Sequence, residues 1–301
     1  MRFHFPSLVI ALPLLLGSLL LTPAVALAQS PLLEPNDRLA ILGGTFVERM
    51  QSSGALEAEL QTRRPDWNLR VRNVGWSGDD VHGIARKVFD QPEDGFKRLL
   101  RDVDTADPTV VLVAYGFAEA SDGAEAVDRF EPGLRQLVRE LTKKNRRVIL
   151  LSPMAMPGVR VEGYDQWISE CRQIVARIAE QTDALLLALD WVPATDELTE
   201  DRLHPSGKGY VALATRIADE LVGGTPAEVK SGDLIKLITD KNQLFFHRYR
   251  PQNETYLFLF RKHEQGNNAV EIPQFDPLIE AADRAIWQAA GELGRSSPIA
   301  R

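Results

Sequence analysis

The chain has 301 residues, a formal net charge of −7, and is 44% hydrophobic and 26% charged. That balance excludes a disordered chain, which combines low hydrophobicity with high charge, and 18 Pro with 21 Gly without a period exclude collagen-like sequence. The acidic balance argues against nucleic acid as a partner, because phosphate binding calls for a basic surface.

Residues 1–28 read MRFHFPSLVIALPLLLGSLLLTPAVALA. Arg2 and His4 form a short basic start, Leu8 to Leu21 is apolar and uncharged, and Ala26-Leu27-Ala28 supplies small residues for cleavage. This is the three-part pattern of a secretory signal peptide, with Gln29 as the first mature residue. The protein is therefore expected to be exported, to a periplasm or outside the cell. The alternative is a retained anchor, but the apolar run is shorter than the ~20 residues that span a bilayer. Pro13 and Gly17 also interrupt it. No later stretch has the length and apolarity of a span. Cleavage would make the chain one unit more negative, by loss of Arg2. The single cysteine, Cys171, excludes an intramolecular disulfide. Its helical surroundings, WISECRQIVARIAE, make it a buried small hydrophobe rather than a nucleophile.

The mature chain alternates strands with helices. Leu39 to Leu42 is a short apolar run ending at Gly43-Gly44. Residues 45–63 have helical spacing. Asn68 to Val74 alternates apolar and polar, as a strand with one wetter face does. Thr109 to Tyr115 and Arg147 to Leu151 are continuous apolar runs typical of buried parallel strands. Residues 126–144 and 164–182 are helical, and Ala184 to Leu189 is a fifth strand by position. Residues 208–222 form a helix that ends at Gly223-Gly224. His82 reads as a surface helix residue. There is no internal repeat. Five strands with intervening helices give an α/β protein, a three-layer α/β/α sandwich around a five-stranded parallel sheet. The active groups of such sheets gather at the carboxyl ends of the strands.

Three of those strand ends carry chemistry. Thr45 places a hydroxyl at a helix start behind Gly43-Gly44, a position equally suited to a plain N-cap. Asn73-Val74-Gly75-Trp76-Ser77-Gly78-Asp79 is glycine-rich, which lets backbone N–H groups approach a ligand. In the loop EDRLHPSGKGY, Asp201 is three residues before His204, close enough to hold the imidazole in one tautomer. A surface loop with a helix start at Ser206 is the plainer alternative.

Taken together, these blocks resemble the SGNH (GDSL-like) hydrolases over residues 37–223. The family's strand-Gly-Asp-Ser block corresponds to Leu42-Gly43-Gly44-Thr45. Its Asn-x-Gly-x-Ser-Gly block is matched by Asn73, Gly75, Ser77 and Gly78. Its Gly-x-Asn-Asp block corresponds to Gly116-Phe117-Ala118-Glu119, and its Asp-x-x-His-Pro block to Asp201, His204 and Pro205. The resemblance implies catalytic Thr45, Asp201 and His204, with an oxyanion and substrate-binding set at Thr45, Gly78, Ala118 and Glu119. It departs from the pattern at Thr45, where the family has Ser, at Gly44 and Glu119, where it has Asp, and at Ala118, where it has an Asn donor. The segments GGTFVERMQ, RNVGWSGDD and LFFHRYRPQNETYLFLFRKHEQG look more specifically like a group of exported SGNH-like proteins of planctomycete-type bacteria. The implied function is ester hydrolysis, as a carbohydrate O-deacetylase or small acyl esterase, slowed by Thr45 and Ala118. The alternative is a catalytically inactive scaffold that binds a glycan or a protein partner. The expected partner is a small-molecule or glycan ester, and neither a cofactor nor a metal is expected. A flavodoxin-like nucleotide binder is disfavoured, because no Gly-rich phosphate loop follows the first strand.

The chain thus divides into a signal peptide (1–28), an SGNH-like domain (29–223), and a linker with an aromatic and basic C-terminal extension (224–301). In that extension His247, Arg248, Arg250, Arg261, Lys262 and His263 interleave with aromatic residues. Such interleaving can bind anionic or sugar ligands. The preferred reading is that it packs across the domain with its aromatics buried and its charges paired. Residues 278–293 read as a final amphipathic helix.

Overall fold

The computed structural model describes residues 30–189, 195–225 and 232–296, together with Met1 and Pro193. The expected signal peptide and most of the expected linker lie outside the described residues. The described residues from Pro31 onward belong to one compact unit.

Five strands form one parallel sheet: β1 (Arg38–Gly43), β2 (Arg70–Asn73), β3 (Val110–Ala114), β4 (Arg147–Leu151) and β5 (Leu185–Leu187). Their order is β2-β1-β3-β4-β5. Successive side chains of a strand point to opposite faces, and the buried residues sort accordingly. Ala40, Leu42, Val111, Val113, Val148 and Leu150 join one apolar cluster. Leu39, Ile41, Val110, Leu112, Ile149 and Leu151 join the other. Both faces are therefore covered, which is why β3 and β4 read as unbroken apolar runs.

Helices α1 (Thr45–Met50) and α2 (Ala55–Arg63) lie on one face with α7 (Gly207–Val222). Helices α3 (Pro92–Thr105), α4 (Phe117–Asp122), α5 (Ala124–Thr142) and α6 (Tyr164–Gln181) contribute to the other. The single helix expected over 45–63 is broken. Ser52 and Ser53 hydroxyls bond back to the carbonyls of Arg49 and Met50, and Gly54 takes a left-handed conformation. Such residues favour caps and turns over helix interiors. Helix α3 has no counterpart in the sequence reading, although Pro92 stands in its first turn, where proline suits a helix. His82 lies in a turn, not in a helix, with its ring nitrogen Nε2 3.2 Å from the Arg129 carbonyl. Cys171 is buried, and that burial pushes its thiol up to about 12.

The C-terminal extension is helical: α8 (Gly232–Tyr249), the short α9 (Glu254–Leu257) and α10 (Lys262–Gln265), and α11 (Phe275–Ser296). Helices α8 and α11 share an apolar cluster with Ala58 of α2. They also cover the free edge of β2. Trp287 Nε1 donates to the Leu69 carbonyl at 2.8 Å, and Lys241 Nζ donates to the Val71 carbonyl at 2.9 Å. An open strand edge is a template for unwanted pairing, and these donors close it. Two buried ion pairs fasten the extension, Lys241–Glu57 and Arg72–Asp283. Phe245 and Tyr249 are buried. Arg248 pairs with Asp276, and Arg261 with Glu264. Phe258 and Phe260 stay exposed.

Candidate active site

The carboxyl ends of β1, β2 and β3 bring three of the sequence blocks together. Thr45 is the first residue of α1, where a helix leaves its N–H groups without intrahelical acceptors. The Gly78 N–H donates to Thr45 Oγ1 at 3.0 Å. Gly78 has φ +76°, a left-handed conformation that side-chain-bearing residues rarely adopt. The turn before it is fixed by the Asn73 side chain, whose Oδ1 accepts the Gly75 N–H and whose Nδ2 donates to the Val47 carbonyl.

The structure also explains why Gly44 replaces the family's Asp. A Cβ at Gly44 would lie 2.7 Å from the Asp79 carbonyl oxygen. The two loops are in backbone contact, so no side chain fits between them. Asp79 itself is buried under the loop, bonded to Arg86 at 2.7 Å and to the Tyr115 hydroxyl at 2.9 Å. Arg86 also reaches Asp102 at 2.8 Å. Burial pushes the Asp79 carboxyl up, against the pull of Arg86. Sequence reading missed Arg86, Asp102 and Tyr115, because their partners are set by the fold and follow no motif.

Ala118 lines the cavity beside Thr45 and offers no side-chain donor. Glu119 is buried, and its carboxylate accepts the Val81 N–H at 3.0 Å and the Gly116 N–H at 2.8 Å. Burial pushes its carboxyl up to about 7, against the hydrogen bonds from its own N–H and those of Val81 and Gly116. Glu119 thus ties the loop after β2 to the loop after β3.

The candidate acid–base pair, Asp201 and His204, comes from the loop before α7. His204 Nδ1 lies 2.8 Å from Asp201 Oδ2, and Asp201 Oδ1 accepts the N–H groups of Leu203 and His204. Partial burial pushes the Asp201 carboxyl up, but the bonds from the His204 ring and the two N–H groups outweigh it and bring it down to about 2. A charged Asp201 fixes Nδ1 as the protonated nitrogen and leaves Nε2 as the acceptor. Ser206 caps α7 by accepting the Gly209 N–H. The loop is tied back to α1 by the Arg49–Glu200 pair at 2.5 Å, and α7 by the Tyr210 hydroxyl donating to the Phe46 carbonyl.

Thr45 and His204 line one cavity of about 410 Å³. Its other walls are mostly apolar, including Phe46, Phe117, Met156, Val159, Val161 and Leu203. Phe46 and Phe117 stack with centroids 5.0 Å apart. Among the described residues, no hydrogen bond joins Thr45 Oγ1 to the His204 ring. Such contacts are often long before substrate binds. Among the described residues, no group of three His, Cys, Asp or Glu is placed to hold a metal ion, and no helix is long and apolar enough to cross a membrane.

The model of the GDSL-like lipase/acylhydrolase family matches residues 43–212. The chain belongs to this family. The match runs from Gly43 into the helix after His204, so it contains all the sequence blocks described above except Leu42. Membership makes the chain an ester-bond hydrolase by class. The fold is shared with solved structures. One is an acetylxylan esterase from Geobacillus stearothermophilus, 22% identical, covering 63% of this chain and 96% of that one, with a TM-score of 0.51. Another is LAE5, an α/β hydrolase from the metagenome of Lake Arreo, 21% identical, covering 63% and 98%, with a TM-score of 0.50. A third is a gut microbial diltiazem-metabolizing enzyme, 16% identical, with a TM-score of 0.53; the match covers 64% of this chain and only 48% of that one. Among curated proteins no sequence relative matches the chain. The C-terminal extension lies outside the family match.

Proposed function

We propose that the protein hydrolyses small acyl esters, with O-acetylated carbohydrates as the substrate class. The observation that carries this reading is the shared cavity, which has a hydroxyl nucleophile at one wall and a carboxylate-oriented imidazole at another. Thr45 Oγ1 attacks the ester carbonyl carbon while His204 Nε2 takes its proton. The N–H groups of Thr45 and Gly78 hold the negative oxygen that forms. The tetrahedral adduct collapses, the C–O bond to the alcohol breaks, and His204 returns the proton to the departing oxygen. Water, deprotonated by His204, then attacks the Thr45 ester; the bond to Oγ1 breaks, His204 returns the proton to Thr45 Oγ1, and the acid is released. The apolar walls take the acyl group. Thr45 carries a methyl that restricts χ1, and Ala118 leaves the oxyanion with two backbone donors, so turnover is slow.

The acetylxylan esterase of the same fold suggests the first glycan substrate to test. The chain from Gln29 is assayed for acetate release from 4-nitrophenyl acetate and acetylated xylooligosaccharides, beside Thr45→Ala and His204→Ala. Loss of activity in both variants is the expected result. Equal rates in all three proteins would instead favour an inactive scaffold binding a glycan or protein partner. Export, to a periplasm or beyond the cell, is part of the proposal and rests on the signal-like residues 1–28. N-terminal sequencing of the protein recovered outside the cytoplasm tests it, with Gln29 the expected first residue.

A further inference from the structure

We infer that the C-terminal extension positions the oxyanion loop, and that Arg250 is the residue through which it does so. The inference rests on the esterase reading above.

The oxyanion loop runs from Gly75 to Gly78; the extension touches it directly at Gly75 and Trp76, and reaches Ser77 through Glu48. Tyr249, the last residue of α8, donates its hydroxyl to the Gly75 carbonyl at 2.9 Å. Arg250 Nη1 lies 3.0 Å from Glu48 Oε2. The same Glu48 oxygen accepts the Ser77 N–H at 2.5 Å. The Arg250 guanidinium lies 3.6 Å from the centroid of the Trp76 ring. One carboxylate oxygen is thus shared between the extension and the amide immediately before Gly78. Glu48 stands on α1, three residues after Thr45, so the bond also fixes the loop relative to the nucleophile.

A partly exposed carboxylate gains from turning into water unless a cation holds it. Arg250 is that cation, and its planar group stacks on Trp76 while it binds Glu48. Without it Glu48 loses its cation, the Ser77 N–H loses a fixed acceptor, and the extension holds the loop only by the Tyr249 bond to the Gly75 carbonyl. A misplacement of about 1 Å at a catalytic group costs on the order of 10²-fold in rate. Arg250 touches no reacting atom, so it is a positioning residue.

The test uses the full chain and three variants. Arg250→Ala is expected to lower kcat by roughly 10- to 100-fold with KM little changed, because the loss falls on the transition state. Arg250→Lys keeps the charge for Glu48 and is expected to recover about half of that loss on a logarithmic scale, since an ammonium cannot stack as guanidinium does. Arg248→Ala, which breaks a pair internal to the extension, is expected to leave the rate unchanged. Hydrogen exchange supplies a readout that needs no activity: the amides of Ser77 and Gly78 are expected to exchange faster in Arg250→Ala while β3 and β4 stay protected. Unchanged kcat together with unchanged exchange at Ser77 and Gly78 overturns the inference. If Arg250→Ala fails to fold, Tyr249→Phe, which removes only the hydroxyl bond to Gly75, carries the same comparison. A wild type without esterase activity would sink the esterase reading, while the exchange rates would still decide whether the extension holds this loop.

Discussion

Thr45 and Gly78 sit on segments braced by buried groups from several sides, whereas Asp201 and His204 sit on a more exposed loop held by its own hydrogen bonds and by ties from Arg49 and Gly158. The first pair is backed by the buried Asp79–Arg86–Asp102 network, by Glu119 across two loops, and by Glu48 and Arg250 from the extension. The second pair is partly exposed; the Asp201 side chain retains 47% of its accessible surface and that of His204 28%. The contrast matches the two tasks proposed for these pairs. Oxyanion donors must be preorganised, because they act only if they already point at the developing charge. A general base must move a proton twice, and needs only one well-chosen partner to keep its tautomer.

The comparison can be broken most directly at the imidazole. His204→Ala is expected to lower kcat by about 10²–10⁴, the span of general acid–base catalysis, while the melting temperature stays near that of wild type because the ring is not part of either core. A large loss of stability would show that the loop is structural. On the braced side the order reverses. Lys241→Ala strands Glu57, whose Oε1 already lacks a hydrogen-bond partner among the described residues. Leaving such a buried charge unpaired costs about 3–5 kcal/mol, measurable by urea unfolding. Replacing both members, with Glu57→Leu and Lys241→Met, is expected to restore most of it.

A gain of function sharpens the comparison further. Ala118→Asn supplies a side-chain donor at the third oxyanion position. Since losing one such donor costs about 10²–10³ in a protease, the gain in kcat is expected to be no larger than that, and at least tenfold (roughly) if the position is used. Acetate release under saturating substrate measures it, and no gain would detach Ala118 from the oxyanion. The smallest effect is a pH dependence. Glu119 is raised to about 7 in the folded chain from an ordinary value of 4.5. Between those values the folded state holds a proton that the unfolded state has released, so stability falls as pH rises from about 4.5 to about 7 and levels off above. Glu119→Gln is expected to flatten that slope in thermal melts taken across the range. A slope that persists in the variant would assign it to other groups.

Much of this was readable from the chain alone, and the reasons differ by element. Val110–Ala114 and Arg147–Leu151 are legible because both faces are covered, so every residue is apolar. Thr45, Gly78, Asp201 and His204 are legible because each belongs to a short local pattern at a strand end. Helix α3 was missed although a proline and two acidic residues begin it. The split between α1 and α2 was missed because Ser52, Ser53 and Gly54 only weaken a helix, and tertiary packing decides whether it breaks. Glu48 gave no local signal, and Arg250 and Tyr249 stood out only as members of a basic and aromatic stretch whose partners nothing local identified. Arg250 and Glu48 are 202 residues apart in the chain, and nothing near either names the other.

The sequence by itself therefore determined the α/β class, the order of the strands along the chain, and the candidates proposed as nucleophile, orienter and base, because local periodicity and short spacing encode those. Only the tertiary structure decided three other things. It showed that Gly44 is glycine because the Asp79 backbone occupies the space of a side chain. It showed that Glu119 is a buried tie between two loops. And it showed that the extension outside the family match closes the β2 edge and reaches the oxyanion loop. Each depends on backbone and charge brought together from distant parts of the chain, and contacts of that kind leave no spacing to read.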